Sequence, residues 1–336
     1  MKVANREIGS EFWSVELSEK ENSLFPDSSS WYLSGRSALK AIISDIKREK
    51  NVSSVAMPSW CCDSMITPFL DVEIEVSFYP VYIKDGKLIQ KIENAEKSDA
   101  LFVMDYFGYT QRHSFDFHGP VIRDVTHSLF SAQYSDADYY FGSLRKWSGF
   151  FTGGYAWGIK KAGSFKVDSD YVSLRKEAMR QKSLYISGAS DSKDYLSVFS
   201  EAEEYLEKCD IGGADIEDEK KAKIFDVEYV RQKRRENAKI LMREISDIAL
   251  FDSLNEEDCP MFVPIFMSNE KRDSLRSYLI RNGIYCPIHW PISKYHSLNS
   301  VTSNIYEREL SLVCDQRYGS EDMYRMVDVI KSFLKG

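Results

Sequence analysis

A series of short apolar runs between residues 52 and 159 constrains the fold of this 336-residue chain more than any other feature of its sequence. The runs are VSSVAM, EIEVSFY, ALFVMDY, PVIRD, ADYYFGS and GYAWGI. Each has the length of a buried strand and is rich in β-branched and aromatic residues. Just before them, Leu39, Ile42 and Ile46 repeat at helical spacing and predict an amphipathic helix over residues 37–47. We therefore predict an α/β fold with a largely parallel sheet and ligand sites at the carboxyl ends of its strands.

The second half of the chain is different in character, because charged helical stretches replace the apolar runs. Residues 226–245 predict one long helix that links two domains. The later segments are typical of a small α/β domain: FVPIF, a helix around Arg272–Arg281, IYCPIHWP and a final helix over Glu321–Leu334. We expect a large domain at residues 1–235 and a small carboxyl-terminal domain at residues 236–336.

The bulk composition argues against several classes of protein. The chain is 43% hydrophobic, enough to fill the cores of two domains, and carries a formal net charge of -8. This charge gives no global reason to bind nucleic acid or an anionic membrane. The amino terminus lacks the apolar core of a signal peptide, and no apolar run reaches the ~18 residues of a membrane span. We expect a cytoplasmic protein without nucleic-acid or membrane partners.

The cysteines and histidines do not follow the spacing of metal ligands. The six cysteines include no Cys-x-x-Cys pair, so we expect reduced thiols and no disulfide framework. The five histidines lack His-Glu-x-x-His spacing, although His113 and His118 lie close together in a predicted loop. We expect no metal site.

The most informative segment is DYYFGSLRKWSGFFTGGYAW at residues 138–157, where an apolar strand runs into Ser143, Arg145 and Lys146. A lysine partly surrounded by aromatic residues loses hydration, which favours the free amine that forms an imine with an aldehyde. A surface Lys-Arg pair in a loop is the alternative interpretation, and it is the commoner one in an arbitrary sequence. Other segments must decide between the two.

Two further segments favour a ligand site. Asp124 ends a short predicted strand and is followed three residues later by His127, and an acid at this end of a strand is well placed to meet a ligand. Ser34, Gly35 and Arg36 stand at a helix start, where backbone N–H groups and the helix dipole attract anions. Each segment is also explained by ordinary helix capping.

Taken together, these segments resemble the DegT/StrS family of sugar aminotransferases, within fold type I of the enzymes that depend on pyridoxal 5'-phosphate. The resemblance spans most of the chain in the order of the family. It is carried by Ser34-Gly35, Met57-Pro58-Ser59-Trp60, Asp105-Tyr106-Phe107-Gly108, Asp124-Val125-Thr126-His127, Ser143-Leu144-Arg145-Lys146, Gly153-Gly154, Arg235-Glu236-Asn237-Ala238 and Pro287-Ile288-His289-Trp290-Pro291. It implies a large domain with a mostly parallel mixed sheet flanked by helices, and a small α/β carboxyl-terminal domain.

The resemblance also implies catalytic roles. Lys146 would hold the cofactor as a Schiff base and move the proton between substrate and cofactor. Asp124 would pair with the pyridine nitrogen and keep it protonated. His127 would lie near the 3′ oxygen of the cofactor, and Trp60 is the candidate for stacking on its ring.

Other residues would hold the phosphate and the substrate. Ser34, Gly35, Arg36 and Ser143 would lie around the phosphate group. The candidate substrate contacts are Arg145, His289 and Trp290, each of which also has a purely structural interpretation. The sequence departs from the family in several places. Arginine at 36 and threonine at 152 replace a usual threonine and acid, and cysteines at 61 and 62 stand where threonine and an aromatic residue are frequent. The serine before Lys146 is also placed differently from the commonest family pattern.

The implied activity is transfer of an amino group, with glutamate as the expected donor, to a nucleotide-linked keto-sugar. The implied setting is surface-polysaccharide biosynthesis by a homodimer with active sites at the subunit interface. One alternative is a pyridoxal phosphate enzyme that acts on a non-sugar amine or dehydrates a deoxysugar, although related dehydrating scaffolds carry histidine where this chain has Lys146. The other is a non-catalytic homologue that binds the cofactor or a sugar nucleotide.

Overall fold

The computed structural model describes residues 7–84, 86–110, 116–131, 136–296 and 300–336. Its helices are α1 (Gly35–Glu49), α2 (Asp63–Leu70), α3 (Ser169–Ile186), α4 (Tyr195–Lys208), α5 (Ile216–Lys223), α6 (Val227–Glu244), α7 (Asn269–Arg281), α8 (Ser300–Arg308) and α9 (Ser320–Lys335). Its strands are β1 (Ile8–Gly9), β2 (Ser30–Tyr32), β3 (Ser54–Pro58), β4 (Glu75–Tyr79), β5 (Val81–Lys84), β6 (Lys87–Gln90), β7 (Ala100–Met104), β8 (Val121–Asp124), β9 (Tyr139–Ser143), β10 (Gly154–Trp157), β11 (Phe262–Phe266), β12 (Ile284–Tyr285) and β13 (Glu309–Val313). Within these described ranges, no helix combines the length and the apolar character that crossing a membrane requires.

A seven-stranded sheet lies at the centre of the larger part of the molecule, in the order β2-β10-β9-β8-β7-β3-β4. The neighbours from β4 to β9 are parallel, and β10 runs antiparallel to both β9 and β2. Every residue of β7, β8 and β9 is buried, which explains why the apolar residues of these strands follow one another and do not alternate with polar ones. The prediction of a largely parallel sheet is confirmed.

The predicted amphipathic helix is confirmed as α1, and it begins two residues earlier than the apolar repeat indicates. Ser34 is its N-cap, and the Ser34 side chain accepts a hydrogen bond from the backbone N–H of Ser37. The buried face of α1 includes Leu39, Ile42 and Ile46 and packs towards β9 and β10. This packing holds the first turn of α1 beside the end of β9.

The carboxyl-terminal part contains two small sheets. β11 pairs antiparallel with β13, and β1, from the amino-terminal segment, pairs in parallel with β12. The predicted long helix is confirmed as α6, with Asp226 as its N-cap. The expected domain boundary between residues 235 and 236 falls inside α6, and the division into residues 1–235 and 236–336 stays a prediction.

Candidate functional site

The ends of two central strands and the start of one helix meet at the same edge of the sheet. β8 ends at Asp124, β9 ends at Ser143, and a helical turn over Leu144–Lys146 follows directly. A Cβ placed on Gly35, the first residue of α1, would lie 3.3 Å from the Cβ of Ser143. Three segments that are far apart in the sequence therefore converge where a parallel sheet binds its ligands.

These segments enclose a cavity of about 220 Å³, called the inner cavity below. Its walls include seven of the eight predicted cofactor-binding residues: Ser34, Gly35, Arg36, Asp124, His127, Ser143 and Lys146. The eighth, Trp60, does not line it. Residues that were not predicted to bind the cofactor also contribute, among them Cys62, Met65 and Glu203.

Asp124 is buried at the inner cavity, with 1% of its surface exposed. Its Oδ1 accepts a hydrogen bond from the backbone N–H of Thr126 at 2.8 Å. Burial raises the pKa of Asp124 to about 7, although the hydrogen bonds from Thr126 oppose the increase. Among the described residues, no cationic side chain pairs with this carboxylate. A ligand that brings a positive charge to Asp124 would relieve this cost.

The start of α1 supplies an anion site at the other end of the inner cavity. The Ser34 side chain caps the helix, as the capping interpretation predicts, and the first turn contains no acidic residue. The Nε of Arg36 is buried without a hydrogen-bond partner, while its NH1 donates to the carbonyl of Leu206 at 3.5 Å. An unsatisfied guanidinium donor beside free helical N–H groups suits an anionic group.

Two neutral imidazoles lie close together beside the inner cavity, and both line a second cavity. The rings of His127 and His289 lie 5.2 Å apart, and His127 Nδ1 accepts the backbone N–H of Phe107 at 3.4 Å. Burial lowers the pKa of His127 well below its ordinary range and that of His289 to about 3, and nearby Lys146 acts in the same direction. Both rings are therefore uncharged near neutral pH and act as hydrogen-bonding groups.

The second cavity has a volume of about 580 Å³ and is called the outer cavity below. All three predicted substrate contacts, Arg145, His289 and Trp290, line it, and Lys146 lines both cavities. Further charged groups in its wall are Glu11, Glu203, Arg234, Arg276, Asp315 and Arg317. The outer cavity is therefore large and carries charges of both signs.

Lys146 stands where the two cavities meet, and its side chain is exposed. Phe12, Phe262 and Trp290 line the outer cavity together with Lys146, but the exposure of Lys146 shows that these aromatic residues do not enclose it. Arg145 forms an ion pair with Glu203 of α4, and Arg175 of α3 lies 3.7 Å from the same carboxylate. The surface Lys-Arg interpretation is wrong for Arg145, whose side chain is only 9% exposed.

Trp60 is placed differently from its predicted stacking role. Its side chain is fully buried and stacks on Tyr106, with ring centroids 4.9 Å apart, and its Nε1 donates to the carbonyl of His289. Neither cavity includes it in its wall. Trp290 lines both cavities, and its ring lies 5.9 Å from that of Trp60. Trp60 therefore packs against a cavity-lining residue and does not itself face a cavity.

The described residues contain no group of three His, Cys, Asp or Glu side chains arranged to hold a metal ion. His113, one of the two neighbouring histidines in the sequence, lies outside the described residues. The six cysteines are free in the structure.

Comparison with known proteins gives no match to the sequence and many to the fold. No family model and no curated protein matches the chain. Spr1654 from Streptococcus pneumoniae, assigned as a sugar aminotransferase and determined in its PLP form, superposes with a TM-score of 0.64 at 16% identity, over 98% of this chain and 99% of that one. The chain has the fold of the sugar aminotransferases.

Two further aminotransferase structures support this result. PseC of Helicobacter pylori, involved in pseudoaminic acid biosynthesis, superposes with a TM-score of 0.63 at 16% identity, over 97% of this chain and 100% of that one. A DegT DnrJ EryC1 StrS aminotransferase from Brucella abortus gives a TM-score of 0.60 at 15% identity, over 91% and 85% of the two chains. The expected aminotransferase fold, with its mixed sheet flanked by helices, is confirmed. Identities this low show a shared fold and leave the activity to be argued from the site.

Proposed function

We propose that this protein is a pyridoxal phosphate-dependent aminotransferase that transfers an amino group to a keto-sugar linked to a nucleotide. One observation carries the proposal: Lys146, Asp124 and the first turn of α1 line a single cavity that shares Lys146 and other lining residues with a larger one. We assign the first to a compact anionic cofactor and the second to its substrates. The outer cavity, at about 580 Å³, falls within the roughly 300–1,000 Å³ that is usual for small-molecule sites.

The residues of the inner cavity fit pyridoxal phosphate by their chemistry. The unpartnered Nε of Arg36 and the amides at the start of α1 suit its phosphate, and the absence of a Cβ at Gly35 leaves room beside Ser143. The buried carboxylate of Asp124 suits a protonated ring nitrogen, whose charge would lower the raised pKa of that carboxyl group. Lys146 supplies the amine that must meet the aldehyde.

When bound, the cofactor supplies an electron sink for the negative charge that develops on the substrate carbon. The chain would supply the proton transfer, because Lys146 lines both cavities and its amine could take a proton from one carbon and deliver it to another. The carboxylate of Asp124 would pair with the positive charge of the ring nitrogen. The uncharged imidazole of His127 offers a hydrogen bond without adding a charge to the inner cavity.

The outer cavity supports a nucleotide-linked sugar as the acceptor. Its volume of about 580 Å³ exceeds the need of a small keto acid, and Arg276 in its wall is an exposed cation suited to a diphosphate. Another structure with this fold, DesI, was determined in the presence of its TDP-sugar product, and it superposes with a TM-score of 0.59 at 14% identity over 90% of this chain and 80% of that one. We also propose glutamate as donor, a cytoplasmic homodimer and a role in surface polysaccharide synthesis, which the family resemblance supports.

The test is transfer of labelled nitrogen. Purified protein, pyridoxal phosphate and ¹⁵N-glutamate are incubated with a panel of nucleotide-linked 4-keto and 3-keto sugars, and mass spectrometry follows the products. The proposal expects an amino-sugar nucleotide that carries the label, formed by wild-type protein and by Lys161→Ala but not by Lys146→Ala. Loss of water from the sugar would indicate a dehydratase. Labelled products from non-sugar carbonyl compounds alone would contradict the sugar substrate.

A further inference from the structure

A chain of hydrogen bonds leads from the outer cavity into the carboxyl-terminal part of the molecule. Nδ1 of His289 lies 2.8 Å from Oγ of Ser311, and that hydroxyl lies 2.5 Å from Oε1 of Glu309. The other carboxyl oxygen, Oε2, accepts the backbone N–H of His289 at 2.7 Å. Glu309 and Ser311 stand two residues apart on β13, so both point to the same side of the strand. Both are fully buried.

The direction of these hydrogen bonds depends on one proton. Because Oε2 already accepts an N–H, a neutral Glu309 carries its proton on Oε1 and donates it to Ser311. Ser311 then donates to Nδ1 of His289, so the neutral ring carries its own proton on Nε2. If Glu309 is ionised, Ser311 donates to Oε1 and accepts from Nδ1–H, and Nε2 is left with a lone pair.

Glu309 is in its neutral form near neutral pH. Burial raises the pKa of Glu309 to about 8, although hydrogen bonds from His289 and Ser311 and the charge of Arg272 oppose the increase. Arg272 faces it from α7 and donates to the backbone carbonyl of Glu309. Two further titratable groups lie near Glu309, the imidazole of His289 and the thiol of Cys286, next to β12. Burial lowers the pKa of His289 to about 3 and raises that of Cys286 to about 12, so both stay uncharged.

The groups that face His289 also leave it neutral. These are His127, which burial keeps uncharged, and Lys146, which opposes a second positive charge nearby. The carboxyl group of Glu309, whose Oε1 lies 3.9 Å from Nδ1 of His289, would favour a charged ring only in its ionised form. Among the described residues, Nε2 of His289 has no hydrogen-bond partner. It is also not one of the fully buried side-chain atoms that lack such a partner. With Nδ1 held by Ser311, the other edge of the ring is the one available to the outer cavity.

We propose that His289 presents an Nε2–H donor to an oxygen atom of the molecule bound in the outer cavity, and that Glu309, through Ser311, fixes this tautomer. His289 is then a further specificity-determining residue, and Glu309 and Ser311 are positioning residues. The group recognised is a hydroxyl, carbonyl or carboxylate oxygen. The tautomer is a property of the protein alone. Whether the recognised oxygen belongs to a sugar or to an amino donor rests on the proposed function.

The direct test is long-range ¹H–¹⁵N NMR of protein labelled with ¹⁵N-histidine. The chain contains five histidines, so the spectrum is simple, and loss of one set of signals in His289→Asn assigns the residue. We expect the Nε2–H tautomer at about pH 7 and a change to Nδ1–H above the pKa of Glu309, about 8. An Nδ1–H tautomer at about pH 7, or one tautomer throughout, would overturn the proposal whether or not the protein transfers amino groups.

Three variants separate positioning from simple packing. The amide of Glu309→Gln can accept the N–H of His289 and donate to Ser311, so this variant should keep Nε2–H at every pH. Ser311→Thr keeps the hydroxyl and should behave as wild type, whereas Ser311→Ala should lose the fixed tautomer. Pure packing predicts no difference in tautomer between the two Ser311 variants, which would also contradict the proposal.

Kinetics provide a second readout, which does rest on the proposed function. Near pH 9 about one tenth of Glu309 would be neutral, so KM for the substrate that His289 contacts should rise about tenfold above its neutral-pH value. Glu309→Gln should remove this increase. A wild-type KM that is flat from about pH 7 to about pH 9 would refute the role of His289 in recognition and would leave the NMR result to decide the tautomer.

Discussion

Replacing Asp124 with asparagine should stabilise the cofactor-free protein at alkaline pH. The side chain is buried with 1% exposure, and asparagine keeps the oxygen that accepts the N–H of Thr126. Burial raises the pKa of Asp124 from 3.8 to about 7, so the folded protein holds this proton more tightly than the unfolded chain. For a carboxyl group with a raised pKa, the native state is most favoured below the unfolded pKa, and stability is lost as the pH rises through the folded pKa.

The magnitude follows from the two pKa values. Each pKa unit is worth about 1.4 kcal/mol, so the full cost of ionising Asp124 in the fold is about 4 kcal/mol above pH 7. At about pH 5 this cost is only roughly 1–2 kcal/mol, because the cost begins to grow at the unfolded pKa of 3.8 and has not reached its full value. Between about pH 5 and about pH 8, wild type should therefore lose about 3 kcal/mol that Asp124→Asn does not lose.

The assay is urea unfolding of both cofactor-free proteins, followed by the fluorescence of the six tryptophans. The quantity of interest is the difference in free energy of unfolding between the two proteins at each pH, because other titrating groups contribute equally to both. Parallel pH dependences would refute the reasoning. Addition of pyridoxal phosphate should reverse the order, since a protonated ring nitrogen stabilises the carboxylate and not the amide.

Three further substitutions test the cavity walls. A Cβ at Gly35 would lie 3.3 Å from a neighbouring Cβ, so Gly35→Ala should weaken cofactor binding severalfold in a spectrophotometric titration, whereas Gly319→Ala, with nothing within 4 Å, should not. Glu203→Gln removes the carboxylate that pairs with a cavity arginine and should lower KM for an anionic donor about fivefold, while Glu204→Gln on the same helix serves as the control. Trp60→Phe loses one buried hydrogen bond and should lower the free energy of unfolding in urea by about 1–2 kcal/mol. It should leave the absorption maximum of the bound cofactor unchanged. A shifted maximum would indicate that Trp60 stacks on the cofactor ring after all.

The central sheet and one edge of the site could be predicted from local sequence patterns. The apolar runs identify β3 and β7 to β10 because strands buried on both faces need mostly apolar sequence. The edge strand β4, whose residues alternate between exposed and less exposed positions, is identified by its β-branched and aromatic residues. Once these strands are parallel, their carboxyl ends must lie together, which brings Asp124 and Ser143 to one edge. The start of α1 follows from its capping serine.

The remaining features depend on partners that are distant in sequence. Whether Trp60 faces a cavity or the core is decided by Tyr106 and by Trp290, which is 230 positions away along the chain. Glu203 reaches the site only because α4 packs on α3, and nothing in its own charged segment distinguishes it from Glu204. The exposure of Lys146 follows from the same long-range packing and not from the aromatic residues beside it in sequence.

Covalent attachment of the cofactor tests the central claim most directly. Purified protein is mixed with pyridoxal phosphate, its visible spectrum is recorded, and borohydride reduction is followed by peptide mass mapping. The matched variants are Lys146→Ala and Lys161→Ala, the second an exposed lysine outside both cavities. The account predicts a reducible visible band in wild type and Lys161→Ala, none in Lys146→Ala, and the added mass on the peptide that contains Lys146. A band that survives in Lys146→Ala, or mass on another lysine, would contradict it.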